Sequence, residues 1–163
     1  MLLDDLICID ENINLDNYLS FKDIVEKNMP RPDWLGDFTK KDLKKLIKKG
    51  SKIWLYYLDE EPVCSMMIKP SDQKELDRYY IKSEETICYS SMFVNPKYVG
   101  NNLQYQMLKK LDEYSTQKEY KFAVGTIHPA NKYSINNVVK DNFIYIETLN
   151  FPRGIRNVYL KLL

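Results

Sequence analysis

Between Thr86 and Leu111 the chain commits itself to a layered α/β arrangement. Nine residues, Thr86 to Val94, run without a breaker and read as a strand that Asn95-Pro96 closes. Leu103, Met107, Leu108, Leu111 and Tyr114 follow at helical spacing after a short turn containing Gly100. The apolar stripe of such a helix has to be buried against a sheet. A helix that starts directly after a strand also presents free backbone N–H groups and the positive end of its dipole, which suits a phosphate. The turn itself, Val99-Gly100-Asn101-Asn102-Leu103-Gln104, is too poor in glycine for a Walker A loop or a dinucleotide fingerprint, so a nucleotide-hydrolysing enzyme has no support.

The flanking segments extend the same pattern. A first helix is expected from Asp16, a cap for a segment carrying Leu15, Tyr18, Leu19, Phe21, Ile24 and Val25, and Pro30 and Pro32 end it. Thr39, with Asp42 three residues on, opens a second helix that places Leu43, Leu46 and Ile47 on one face and stops at Gly50. Its lysines fill the opposite face and read as a solvated surface rather than a polyanion site. Ile53 to Leu58 and Val63 to Ile68 form a hairpin around Asp59-Glu60-Glu61-Pro62. Residues 69 to 84 are expected to be a loop with at most a short strand. Phe122 to Ile127, Phe143 to Ile146 and a run around Val158-Tyr159-Leu160 complete the strands, and Ser134 to Lys140 gives a short helix. The order is β/α, α, then β-β-β-α-β-α-β-β, a single α/β domain over residues 1–163 with a mixed sheet.

Composition narrows the function classes. The chain has 163 residues, with 24 basic and 23 acidic side chains for a formal charge of +1, which gives no footprint for nucleic acid or an anionic membrane. No stretch reaches the roughly 20 apolar residues of a membrane span, and Met1-Leu2-Leu3-Asp4-Asp5 is acidic where a signal peptide is basic. Cys8, Cys64 and Cys88 lie in apolar runs without CxxC spacing, as expected of buried thiols in a reducing, cytoplasmic setting. No Ser-His-Asp order and no His/Cys metal spacing occurs.

Two stretches carry a family resemblance. Phe93-Val94-Asn95-Pro96-Lys97-Tyr98-Val99-Gly100-Asn101-Asn102-Leu103-Gln104 resembles motif A of the GNAT superfamily of N-acetyltransferases, written V-x-P-x-Y-[QR]-G-x-G-x-[GA]. Ile127-His128-Pro129-Ala130-Asn131-Lys132-Tyr133-Ser134, with Lys140-Asp141-Asn142-Phe143, resembles its motif B. The resemblance implies the GNAT fold, a central mixed, mostly antiparallel sheet flanked by helices on both faces. It also implies a bacterial-type, acetyl-CoA-dependent N-acetyltransferase that passes the acetyl group directly to a primary amine. The acceptor would be a small-molecule amine or a peptide amine, and the chain a monomer or a homodimer.

By the same resemblance, the strand around Phe93 and Val94 pairs with the pantetheine arm, and the amides of Val99, Gly100, Asn101, Asn102, Leu103 and Gln104 cradle the pyrophosphate. Asn131 contacts the CoA arm and Ser134 accompanies it, although Asn131 is equally suited to starting a helix. Val99, Asn102 and Gln104 depart from the motif, and Asn142 stands in the C-terminal glycine position. Asparagine tolerates left-handed dihedrals, so the expectation is a modified site rather than a lost one.

The position where many members carry a tyrosine general acid holds Val138. Tyr133 is then the candidate acid, against the alternative of a packing tyrosine. Glu85, beside Glu84, and His128 are candidate bases, against the alternatives of a solvated strand end and a turn residue. Arg153 and Arg156 are candidates for the 3'-phosphate of CoA or an acceptor carboxylate, against plain surface charge. Trp34, Phe38 and Trp54 are candidates for an acceptor pocket or for the core. A GNAT-like domain that binds acyl-CoA without turnover, as a sensor or interaction module, is the rival reading, motivated by Val138 and the altered glycines.

Overall fold

In a computed structural model describing all residues, Met1–Leu163, seven strands form one sheet in the order β1-β2-β3-β4-β5-β7-β6. The strands are β1 (Ile7–Ile9), β2 (Lys52–Leu58), β3 (Glu61–Pro70), β4 (Thr86–Val94), β5 (Phe122–Ile127), β6 (Ile144–Phe151) and β7 (Gly154–Leu162). The helices are α1 (Leu15–Lys27), α2 (Lys40–Lys48), α3 (Gln73–Leu76), α4 (Leu103–Gln117) and α5 (Lys132–Lys140). Every neighbouring pair is antiparallel except β4 and β5. The sheet is thus mixed and mostly antiparallel, as expected. No helix is long and apolar enough to cross a membrane.

Alternation along the strands sorts the core onto two faces. Trp54, Tyr56, Ile87 and Tyr89 pack with Leu103, Met107, Leu108 and Leu111 of α4, with Val138 of α5 against the same cluster. Ile53, Leu55, Met67 and Phe93 pack on the other face with Tyr18 and Phe21 of α1 and Leu43 of α2. Leu76 of α3 covers Val124 and Val158 on that second face. In β4, Tyr89 and Phe93 therefore lie on opposite faces although four residues apart, which unbroken alternation forbids. A β-bulge resolves this: Ser65 pairs with Phe93 and Met67 with Ser90, so Ser91 and Met92 oppose Met66 alone. Ser91 takes a left-handed φ of +43° to do it.

Local capping chemistry sets several boundaries. Thr39 and Asp42 form a reciprocal capping box at the start of α2, and Gly50 follows its end at φ +103°. Asn142 closes α5 at φ +66°, with its N–H on the Val139 carbonyl and that of Phe143 on the Val138 carbonyl. This is a Schellman end with asparagine in the glycine position.

Three expectations need correction. The cap of α1 is Asn14, whose side chain accepts from the Asn17 amide, and not Asp16. Residues 69–84 hold no short strand outside β3. They form α3 and 3-10 turns at Asp77–Tyr79 and Ser83–Glu85, tied by the Gln73 side chain, which donates to the Ile81 carbonyl and accepts from the Ser83 amide. Cys8 is exposed on edge strand β1, so only Cys64 is a fully buried thiol.

Candidate active site

The parallel contact of β4 with β5 is short. Thr86, Ile87 and Cys88 pair with Phe122, Ala123 and Val124, and there it ends. Beyond it β5 stays with β7 as far as Ile127, while the bulge turns β4 away with β3. The strands splay, and the β4 backbone from Tyr89 to Val94 has no strand to pair with on its β5 side. A cavity of about 250 Å³ occupies the gap. Its walls include Ser90, Ser91 and Met92 from β4, Gly125 and Thr126 from β5, and Tyr159 from β7.

On the α4 side, the turn before the helix is a cradle of free backbone amides. Gly100 at φ +94° and Asn102 at φ +58° wind the backbone through left-handed conformations there, as in the turns that form anion-binding concavities. Asn102 caps α4 without a side-chain hydrogen bond. None of the backbone N–H groups from Val99 to Tyr105 donates to a protein acceptor, and the first amide of the helix to do so is that of Gln106, to Asn102. Seven free donors thus stand at the positive end of a 15-residue helix, an arrangement able to accept an anion. The Asn101 side chain donates to the Tyr98 carbonyl, and Gln106 donates to the Asn101 carbonyl and accepts from the Leu3 amide, so the turn is held rather than loose.

The side chain of Gln104 does not crowd this cradle. It is buried between α4 and α5, donating to Ser134 Oγ at 2.9 Å and accepting from Asn137 Nδ2 at 2.9 Å. The larger residue thus ties the two helices together and leaves its backbone amide free. Asn131 starts α5 and also faces the cavity. Its Oδ1 accepts from the Ser134 amide and caps α5, while the residue lines the cavity and its Nδ2 donates to no protein atom. Val138 and Phe143 complete this wall.

The opposite end of the cavity opens on the α1–α2 face. The connection between those helices supplies Trp34, Leu35, Gly36, Asp37 and Phe38. Lys69, Arg153 and Arg156 also reach it, and Asp37 is the only carboxylate among the lining residues. The cavity therefore runs through the sheet, from a wall of α4 and α5 residues on one face to a mixed polar and aromatic mouth on the other.

This architecture has counterparts among solved structures. It superposes on the ribosomal-protein-alanine N-acetyltransferase from Brucella melitensis with a TM-score of 0.73, at 16% identity, covering 97% of this chain and 100% of that one. A GNAT family acetyltransferase from Elizabethkingia anophelis with acetyl-CoA bound gives a TM-score of 0.65 at 15% identity, covering 98% and 99%. The chain has the GNAT fold. The aminoglycoside acetyltransferase AAC(6')-Ib, solved with coenzyme A, also shares it, with a TM-score of 0.71, 14% identity and coverage of 96% and 95%. No protein-family model matches the chain, and no curated protein matches it in sequence.

Within this GNAT fold the three expected catalytic side chains do not meet at the cavity. Glu85 lies at the far end of β4, bonded to Lys121 at 2.5 Å, and that bond holds its carboxyl below the usual range, which makes it a poorer base. Tyr133 is exposed on α5 and is absent from the cavity wall. His128 is buried in the turn before α5, stacked near Trp34. Its Nδ1 accepts from the Ala130 amide at 3.0 Å, so the one lone pair of the neutral ring is already engaged. Burial also lowers its pKa, which keeps it neutral. Glu85 sits at a strand end, paired with Lys121 rather than solvated alone, and His128 sits in a turn.

The aromatic candidates divide. Trp34 and Phe38 line the cavity, whereas Trp54 packs edge-on against Tyr114 under α4, away from it. Asp37 escaped the sequence reading. Its only signal is its place between Trp34 and Phe38, in a connection without periodicity.

Proposed function

We propose that the chain is an acetyltransferase that uses acetyl-CoA and passes the acetyl group directly to a primary amine. The observation that carries this reading is the run of seven unpaired amides from Val99 to Tyr105 at the start of the helix that follows β4, the strand that diverges from β5. Amides of Val99, Gly100, Asn101, Asn102, Leu103 and Gln104 bind the CoA pyrophosphate. The pantetheine arm adds to the unpaired edge of β4 at Phe93 and Val94, in the manner of an extra strand. Asn131 Nδ2 donates to the arm, with Ser134 fixing Asn131 and Gln104 behind it. CoA-bearing neighbours of the same fold support this assignment, as does AAC(6')-Ib solved with paromomycin and acetyl-CoA for an amine acceptor.

The amine enters from the α1–α2 face and must be neutral to attack. Its nitrogen adds to the thioester carbon, the carbonyl oxygen takes the negative charge beside a β4 backbone N–H, and the C–S bond then breaks. The amine proton passes to Asp37, directly or through one water, and the departing thiolate takes a proton from solvent at the open cradle side. Cys88 lines the cavity, but burial raises its thiol pKa, so it is a neutral wall group and no acyl-cysteine is invoked. Catalysis is then mainly positioning.

Thermal unfolding with acetyl-CoA and with CoA tests the reading. A ligand bound by the native state alone raises the midpoint, by about 2.7 kcal/mol of added stability at a hundred times its Kd. Gly100→Val is expected to abolish most of that shift. Its φ of +94° strains any β-branched residue, while no atom lies within 4 Å of the added Cβ, so the damage stays in the cradle. An absent shift in the unaltered protein overturns the proposal.

One observation favours the second reading, acyl-CoA binding without turnover: the wall where a proton donor is expected is Val138. A thermal shift with acetyl-CoA but no release of CoA thiol across an amine panel would select it.

A further inference from the structure

The α1–α2 mouth of the cavity carries a buried positive charge that no carboxylate pairs with. Arg156 is 2% exposed and lines the cavity, yet no carboxylate pairs with it. Its Nη1 donates to the Ile155 carbonyl at 2.7 Å and its Nη2 to the Asp33 carbonyl. Its Nε donates to no protein atom. Arg153, at the tip of the β6–β7 hairpin, donates from Nη2 to Thr126 Oγ1 at 2.8 Å and likewise has no carboxylate partner. The Asp33 side chain of that connection is engaged by Arg31 in a two-point contact at 3.0 and 2.9 Å. A guanidinium withdrawn from water without a counter-charge is unfavourable, and two carbonyl oxygens compensate it only in part. Burial lowers the pKa of Arg156 and the neighbouring Arg153 adds to this, with the Asp33 carboxylate offsetting it only in part.

We infer that the acceptor amine carries an oxyanion, a carboxylate or a phosphate, and that Arg156 and Arg153 hold it at the α1–α2 mouth. This rests on the acetyltransferase reading above. The guanidinium plane matches an oxyanion in two-point geometry, and Trp34 Nε1, a cavity-wall residue whose indole N–H is buried without an acceptor, is a further donor. Asp37 on the same mouth suits the ammonium end of such a molecule. The 3'-phosphate of CoA is the competing anion, and the sheet argues against it. Arg156 shares its face of β7 with Val158, which packs under α3, whereas the Val99–Tyr105 amides lie on the α4 face. An aminoglycoside-like polycation is disfavoured by the same charges.

The test uses the whole chain saturated with CoA and reads thermal unfolding against succinate and against inorganic phosphate, with chloride at matched ionic strength as the reference. A saturable rise is expected with at least one of the two, and which one it is separates carboxylate from phosphate. Arg153→Gln, at an exposed hairpin tip, and Arg156→Gln are expected to weaken that binding at least about tenfold. Acetyl transfer to ethanolamine against phosphoethanolamine, and to amino acids against their amides, is expected to favour the anionic member by a similar factor. No saturable shift from either anion up to about 10 mM, or equal binding in the unaltered protein and Arg153→Gln, overturns the inference. So does a loss of preference for CoA over dephospho-CoA in Arg153→Gln, which would assign the arginines to the nucleotide. The acetyltransferase reading fails separately, if acetyl-CoA itself gives no shift.

Discussion

Lys161→Met is expected to destabilise the protein by about 3 to 5 kcal/mol, a fall in Tm of roughly 6 to 20 °C for a chain of this size. Lys161 lies 8% exposed on β7, where it bonds to Asp112 of α4 and to Asp141, the fully buried C-cap of α5, at 2.9 Å. A carboxylate at a helix C-terminus opposes the dipole, and cations have to offset it. With Lys161 gone, only Lys109 faces the two acids, at 2.5 Å from Asp141 and 3.9 Å from Asp112. Burial already holds the Asp112 carboxyl above the ordinary range, against the pull of Lys161 and Tyr89. In the variant it rises further, so the folded state binds this proton more tightly than the unfolded chain does. The deficit is then largest at neutral pH and shrinks as pH falls toward the unfolded carboxylate value of about 3.9. Urea unfolding at neutral and acidic pH measures both, and a deficit that grows in acid would remove the electrostatic account.

The second large effect falls on turnover alone. Asp37→Asn is expected to lower kcat/KM for acetyl transfer about 100-fold near neutral pH. Activity should recover as pH approaches the pKa of the acceptor amine, because the neutral nucleophile then forms without a base. Since Asp37 lies at the α1–α2 mouth and the amide cradle on the other face, stabilisation by acetyl-CoA should be unchanged. An undiminished rate at neutral pH would hand deprotonation to solvent.

What could be read from the sequence was whatever local chemistry decides. The Thr39–Asp42 box, the limits of β4 and β5, and the left-handed Asn102 and Asn142 each depend on residues within a few positions of one another. The region 69–84 resisted because its helix is four residues long and is organised by Gln73 reaching across to Ile81 and Ser83, a tie without periodicity. Asn14 and Asp16 are both good caps two positions apart, and only packing chooses between them.

The site divides in the same way. The strand, turn and helix that make the cradle are contiguous, so their geometry follows from spacing. The acceptor mouth is assembled from three distant pieces. Arg156 becomes buried only because the α1–α2 connection, 123 residues earlier, folds onto it. Glu85 and His128 were attractive as reactive residue types, and their engagement by Lys121 and by the Ala130 amide is visible only in three dimensions.

The bulge at Ser91 has a consequence for how such a site is inherited. A chain lacking that one residue would let β4 run straight beside β5 and close the gap, while plain alternation would still hold Phe93 in its cluster with Tyr18 and Phe21. The opening is thus encoded by a surplus in the residue count of one strand over its neighbour. Substitution at any single position leaves that surplus intact, whereas one deletion erases it, so the cavity should tolerate wide drift in side-chain identity and almost none in length.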